Sequence, residues 1–90
     1  MLIVEFEWDD GNVTHLAERG LDANDVNAML ASRITTLRNK RAGSGEYKLI
    51  GHGKGGELLT IVVTRTAEPG RWRPITGRRS TDGERKIYER

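Results

Sequence analysis

The chain has 90 residues and no cysteine, and its 15 basic and 13 acidic residues give a net charge of +2. This length fits one domain spanning residues 1–90, and the missing thiols exclude disulfides, cysteine-ligated zinc and thiol catalysis. The N-terminus has no basic segment before its apolar residues, and no apolar run approaches a membrane span, so we expect a cytoplasmic protein without membrane contact.

The charges are distributed unevenly along the chain. Residues 1–30 contain seven acidic residues and one basic residue, a net charge of −6, whereas residues 31–90 contain fourteen basic and six acidic residues, a net charge of +8. This asymmetry indicates that one surface attracts an anionic partner. Nucleic acid is one candidate for that partner, and an acidic protein is the other.

The first part of the chain predicts a strand and then a helix. Leu2–Trp8 is rich in β-branched and aromatic residues, which predicts the strand. Asp9 or Asp10 is placed to cap a helix over Asn12–Arg19, because an aspartate there accepts hydrogen bonds from free backbone N–H groups. Gly20 would end that helix in the left-handed conformation.

A second short helix, with Asp22 as its cap, is predicted before the pattern changes to strands. The predicted strands are Ile34–Arg38, Tyr47–His52, Glu57–Arg65 and Arg71–Thr76. The third of these is apolar on both faces and is therefore expected at the centre of the sheet. Pro74 cannot donate to a strand ladder, which favours an edge or a bulge at that position.

Three connections complete the predicted layout. Asn39–Gly45 is a basic, glycine-containing connection, Ala67–Gly70 is a turn, and Thr81–Glu84 matches a capping box that opens a last helix through Arg90. We therefore expect an α+β fold with a small antiparallel sheet of about four strands, two N-terminal helices and one C-terminal helix.

Gly51–Gly56 has the spacing G-x-G-x-x-G of a phosphate-binding loop. That motif requires a helix after the loop, and here a predicted strand follows. A hairpin turn is therefore the better interpretation, with Lys54 at its tip as a candidate phosphate contact.

Basic residues are concentrated at the end of the chain, where seven of the last twenty residues are Lys or Arg. Arg78 and Arg79 lie between the last predicted strand and the last helix, whose free N–H groups also attract anions. If the strands pair in the predicted order, Arg65, Arg73 and Glu84 lie near the same corner. This pattern suits phosphate recognition, and a solvated basic edge is the alternative interpretation.

Cleavage of RNA without a metal needs a group that accepts the 2′-hydroxyl proton, a donor for the leaving oxygen, and cations that stabilise charge on phosphorus. The cations are evident, and Glu84 and His15 are the candidate bases. Neither histidine has neighbours at metal-ligand spacing, so we expect no metal and no cofactor. Further candidate nucleic-acid contacts are Lys48, Lys54, Arg65, Arg85 and Tyr88.

Two groups of motifs lie toward the ends of the chain. The first comprises Phe6–Asp9, Asn12, His15 and Arg19–Leu21, and the second comprises Arg73–Thr81, Glu84–Arg85 and Tyr88. With Tyr47–Gly51 and Glu57–Thr64 between them, these segments resemble the BrnT-type toxins of type II toxin–antitoxin systems. The resemblance covers most of the chain except Ser32–Gly45.

This resemblance implies a RelE-like fold and a ribonuclease that cleaves RNA without a metal and arrests translation. It also implies a cognate antitoxin protein as the partner, with operator DNA bound only through the toxin–antitoxin complex. By position, Arg73, Arg78 and Arg79 match the basic residues of the family's C-terminal motif, and Glu84 and Tyr88 match its helix.

The chain departs from the family pattern in three places. The first predicted helix is shorter and lacks the typical lysine, Arg19 replaces the usual histidine before Gly20, and Pro74 occupies an aliphatic strand position. Two other functions therefore stay open. One is a non-catalytic module that binds nucleic acid or an acidic partner, and the other is a structural subunit of a complex.

Overall fold

A computed structural model, which describes residues 1–41 and 45–90, contains five strands and three α-helices in that part of the chain. In chain order these are β1 (Glu5–Phe6), α1 (Asp10–Glu18), α2 (Ala23–Ala28), β2 (Thr35–Arg38), β3 (Tyr47–His52), β4 (Leu58–Arg65), β5 (Arg71–Arg79) and α3 (Asp82–Glu89). A 3-10 turn over Met29–Ala31 extends α2. The predicted α+β class is confirmed.

The strands form one sheet in the order β1-β5-β4-β3-β2, and its β1–β5 pair is parallel. The prediction of about four antiparallel strands was therefore wrong. In the parallel pair Glu5 lies opposite Arg71, so an acidic segment meets a basic strand. The Glu7 N–H also donates to the Trp72 carbonyl. Only two residues of the predicted strand Leu2–Trp8 pair in this way.

β4 lies at the centre of the sheet, as its apolar sequence predicted. The helices α1 and α2 pack on one face of it, where Leu16 and Val26 join Ile61 in the larger core cluster. On the other face Tyr88 of α3 packs against Ile50 and Leu58. The sheet therefore has α1 and α2 on one face and α3 on the other.

Gly77 allows α1 to approach the sheet closely. A Cβ atom added at Gly77 would lie 2.4 Å from the Ile61 side chain and 3.2 Å from the Leu16 side chain. A larger residue here would force these core side chains to shift, so glycine lets α1 and β5 pack closely.

The helix ends follow the predicted local signals. Asp9, Asp22 and Thr81 each accept a hydrogen bond from a backbone N–H at a helix start, and Gly20 follows α1 with a φ of 81°. Asp9 rather than Asp10 is the cap, so α1 begins two residues before the predicted start at Asn12.

Pro74 lies next to an irregularity in β5, as predicted. Val62 pairs with Thr76 and Val63 pairs with Pro74, so Ile75 is an additional residue in β5. β5 continues to Arg79 rather than ending at Thr76, because β4 supplies pairing partners as far as Leu59.

Two of the three predicted connections between strands lie wholly within the described residues. Gly51–Gly56 lies in the β3–β4 hairpin, where the Gly53 N–H donates to the Glu57 carbonyl. The predicted turn at Ala67–Gly70 is closed by a hydrogen bond from the Arg71 N–H to the Glu68 carbonyl. Residues 42–44 of the predicted connection Asn39–Gly45 lie outside the described residues.

Asn12 joins three segments through one buried side chain. Its amide donates to the carbonyls of Glu7 and Pro74, at 2.9 and 3.0 Å, and its Oδ1 accepts from the Asp9 N–H at 2.8 Å. Only 4% of Asn12 is exposed. If its side chain were removed, these backbone groups would lose their hydrogen-bond partner and little water could replace it.

We predict that Asn12→Ala lowers the free energy of unfolding by about 2–4 kcal/mol, because buried polar groups are left unsatisfied. Asn24→Ala is the matched control, since Asn24 is exposed on α2, and it should change stability by less than about 0.5 kcal/mol. Urea denaturation of both variants measures the difference. Equal stabilities would show that the Asn12 hydrogen bonds contribute nothing to the fold.

Candidate functional site

A basic pocket of about 220 Å³ lies on the part of the sheet that α3 leaves open. Its basic lining residues are Arg19, Arg41, Lys48 and Arg78. Its other lining residues include Thr60, Val62, Thr76 and Gly77. Among the described residues, no carboxylate lines this pocket, so its electrostatic potential favours an anion.

The sheet register explains why residues from three strands meet at this pocket. Lys48, Val62 and Thr76 are direct neighbours across β3, β4 and β5, and Thr60 lies opposite Arg78 two positions away. Because side chains alternate along a strand, all five residues share one face of the sheet. Arg19 joins them from the end of α1.

Glu84 holds Arg78 at the edge of the pocket. The Arg78 guanidinium donates to both oxygens of Glu84, with an Nη2–Oε2 distance of 2.8 Å. Oε1 of Glu84 also accepts from the Thr60 hydroxyl and the Thr81 N–H, at 3.0 and 2.8 Å. The Arg78 hydrogen bonds, helped by those from Thr81 and Thr60, lower the pKa of Glu84 to about 2.

Two of the pocket cations carry uncompensated charge. Within residues 1–41 and 45–90, Arg19 and Lys48 form no ion pair, whereas Arg78 is paired with Glu84. The charge of these two cations is offset by no described carboxylate and is available to a ligand. Arg19 and Lys48 are therefore the pocket residues best placed to attract an anionic ligand.

Arg79, Arg85 and Lys54 lie outside the pocket. The Arg79 side chain is 77% exposed and approaches Glu57 at 3.7 Å. Arg85 is exposed on α3, and Lys54 is exposed in the β3–β4 hairpin. The structure therefore brings Arg78 and Lys48 together but separates these three predicted residues from them.

Arg65 and Arg73 lie at the other end of the sheet, so the predicted common corner does not form. Arg65 pairs in register with Trp72, five residues along β4 from the Thr60–Arg78 pair, which corresponds to about 17 Å. Each of these arginines has its own carboxylate partner. Glu46 binds Arg65 at 2.8 Å, and Asp9 binds Arg73 with an Nη2–Oδ1 distance of 3.2 Å.

Hydrogen bonds lower the pKa values of both carboxylates, Glu46 and Asp9. Hydrogen bonds from the Arg65 backbone N–H and the Thr64 hydroxyl lower the pKa of Glu46. The hydrogen bond from Arg73, together with that from the Asn12 N–H, lowers the pKa of Asp9. Both acids therefore stay ionised at neutral pH and offset the charge of their arginines.

His15 and Tyr88 occupy different environments. His15 is half-buried on α1, one turn before Arg19, so their Cβ atoms lie about 6 Å apart on one helix face. Tyr88 is buried away from the pocket lining. Its hydroxyl donates to the Arg33 carbonyl at 2.8 Å and lies 3.3 Å from His52 Nδ1.

Arg19, Arg41 and Thr76 were not among the residues selected from the sequence as candidates. Arg41 lies in the basic connection Asn39–Gly45 that the sequence pattern indicated. Arg19 is the only basic residue among the first thirty, a signal that could have identified it. Thr76 has no such signal, because its place in the pocket depends on the β5 register.

Neither family models nor curated proteins match this chain. Among the described residues, no group of three or more His, Asp or Glu side chains is arranged to hold a metal ion. In the same part of the chain, none of the helices has the length and hydrophobicity needed to span a bilayer.

The Glu84 contacts predict a specific dependence of stability on pH. The pKa of Glu84 is about 2 in the folded chain against an ordinary value of 4.5, so its contribution is complete above about pH 5 and disappears as the pH falls toward 2. Glu84→Gln should therefore cost about 3 kcal/mol at pH 7 and progressively less below pH 5.

Urea denaturation of the wild type and Glu84→Gln between pH 7 and pH 3 tests this expectation. Arg78→Met is the matched variant, since Arg78 is the main cause of the lowered pKa of Glu84. It should also weaken the pH dependence of the free energy of unfolding. If the difference in stability between the wild type and Glu84→Gln stays constant over this range, the lowered pKa of Glu84 is refuted.

Proposed function

We propose that the chain is a toxin of the BrnT type that binds single-stranded RNA in the basic pocket and cleaves it without a metal, thereby arresting translation. The observation that carries the proposal is the convergence of four cations around one cavity that no described carboxylate lines. Such a cavity favours the phosphates of a nucleic acid, which repel acidic surfaces and attract Lys and Arg.

The proposed reaction uses the RNA's own 2′-hydroxyl as the nucleophile. The 2′-oxygen forms a bond to phosphorus, the bond from phosphorus to the 5′-oxygen breaks, and the products are a 2′,3′-cyclic phosphate and a 5′-hydroxyl. A base accepts the 2′-hydroxyl proton and an acid protonates the leaving oxygen. Lys48 and Arg78 would stabilise the charge that develops on the phosphate oxygens.

His15 is a better candidate base than Glu84. A carboxylate whose pKa is about 2 is a weak base at neutral pH, and its oxygens already accept hydrogen bonds from Arg78, Thr60 and Thr81. These contacts favour a positioning role for Glu84. His15 lies one helical turn from Arg19, a residue that lines the pocket.

The charge asymmetry of the chain supports a protein partner. The acidic segment 1–30 carries a net charge of −6 and contributes only Arg19 to the pocket. We assign the neutralising partner as a cognate antitoxin, with operator DNA bound only by the complex. Cytoplasmic location belongs to the same proposal, since RNA and translation are its targets.

A second candidate function is a non-catalytic module that binds nucleic acid or an acidic partner through the same pocket. One observation favours it: among the described residues, no histidine and no carboxylate lines the cavity. In this alternative the pocket cations bind phosphates or carboxylates, and no residue transfers a proton.

Arg19→Gln combined with Lys48→Gln tests the proposal, because these cations form no ion pair with described residues and their loss leaves no buried acid unpaired. Arg78→Ala is a poorer test, since it would leave Glu84 buried without its partner. We expect the double variant to cleave RNA on the order of 100-fold more slowly than the wild type and to lose growth arrest on induction.

Lys86→Gln is the matched control, because Lys86 is exposed on α3 outside the pocket, and it should behave as the wild type. Cleavage of a labelled RNA by purified protein, together with growth curves, gives the readout. A wild-type protein that binds RNA without cutting it would support the non-catalytic module. A wild-type protein that neither binds nor cuts RNA would contradict both nucleic-acid functions.

A further inference from the structure

We infer that the basic pocket recognises the phosphate backbone of single-stranded RNA and is indifferent to the bases. This inference rests on the proposed function and narrows it to a class of substrate. Two observations support it: no aromatic ring among the described residues lines the pocket for base stacking, and several of its polar side chains already form hydrogen bonds within the chain.

All five aromatic residues of the chain are engaged in packing. Phe6 and Trp8 contact each other edge to face at 6.5 Å, and Tyr47 and Trp72 do so at 5.5 Å. Tyr88 contacts His52 at 5.3 Å and supports the Arg33 guanidinium at 4.0 Å. None of these rings lines the pocket.

The two tryptophans are also held by their indole N–H groups. Trp8 donates to Asn27 Oδ1 and Trp72 donates to the Leu2 carbonyl, both at 2.9 Å. Both rings pack against the larger core cluster. Proteins that bind single strands usually stack bases on aromatic rings, and this chain has no aromatic ring at the pocket for that purpose.

Two uncharged polar side chains at the pocket, Asn39 and Thr60, are already engaged in hydrogen bonds. The Asn39 amide donates to the Gly45 carbonyl at 3.0 Å, and its Oδ1 accepts from the Arg41 N–H at 3.4 Å. The Thr60 hydroxyl donates to Glu84 at 3.0 Å and lies 2.8 Å from the Ser80 hydroxyl.

Arg78 is restricted in the same way. A free guanidinium can bind guanine through two parallel hydrogen bonds, but Arg78 directs two of its nitrogens at the Glu84 carboxylate. The unpaired charges of Arg19 and Lys48 remain. No described residue holds either side chain in a fixed orientation by a hydrogen bond or ion pair. Reading a base edge would therefore cost rotamer freedom, whereas attraction to phosphate needs no fixed geometry and carries no sequence information.

The energetic consequence is that phosphate contacts dominate the affinity. Stacking contributes about 1–3 kcal/mol per base where it occurs, and that contribution is missing here. Arg19 and Lys48 form no ion pair with the described residues, whereas Arg78 is offset by Glu84. With about 0.7 counter-ions released per phosphate of a single strand, Arg19 and Lys48 together should contribute about −1.4 to the slope of log K against log salt.

Binding to four oligonucleotides of about ten nucleotides tests the inference. Three are poly-U, poly-A and a mixed sequence that contains guanine, all with 2′-O-methyl groups that block cleavage. The fourth has the same ribose–phosphate backbone without bases. We expect all four to bind with affinities that agree within about threefold, because no base is stacked. Arg19→Gln with Lys48→Gln should weaken each equally and make the salt slope shallower by about 1.4.

The possible outcomes separate this inference from the function on which it rests. If the oligonucleotide without bases binds about tenfold or more weakly than the others, bases are read by stacking or by hydrogen bonds, which overturns the inference while RNA binding stands. A difference in affinity of about tenfold or more among the three base-containing oligonucleotides would also overturn the inference while RNA binding stands. If no oligonucleotide binds, the RNA-binding function and the inference are both refuted.

Discussion

The buried carboxylate of Glu84 is the group on which the site most depends. It completes the capping box that starts α3, it accepts a hydrogen bond from Thr60 at the centre of the sheet, and it holds Arg78 beside the pocket. Only 7% of Glu84 is exposed, so its charge requires these partners. One residue therefore attaches the last helix to the sheet and fixes the position of a pocket cation.

Local signals in the sequence predicted the helix caps and the central strand, because caps and apolar runs act over a few neighbouring residues. They did not predict the parallel β1–β5 pair, which joins residues 66 positions apart, such as Glu5 and Arg71. They also ended β5 at Thr76, because the Gly-Arg-Arg that follows has little strand preference of its own. β4 supplies the pairing that extends β5 to Arg79.

For the site, the sequence predicted the abundance of cations but not which of them would be free. That depends on carboxylates distant in the chain: Asp9 lies 64 positions from its partner Arg73, and Glu46 lies 19 from Arg65. These ion pairs offset the cations at one end of the sheet. The pocket at the other end gains Arg19, which comes from the otherwise acidic first third of the chain.

The central claim is that the basic pocket is where RNA binds. Titrating ¹⁵N-labelled protein with a 2′-O-methylated oligonucleotide and following the backbone amide chemical shifts tests it most directly. The account predicts the largest shifts at Arg19, Lys48 and residues 76–78, which line or border the cavity. Shifts confined to the end of the sheet that holds Arg65 and Arg73, or to the outer face of α3, would contradict it.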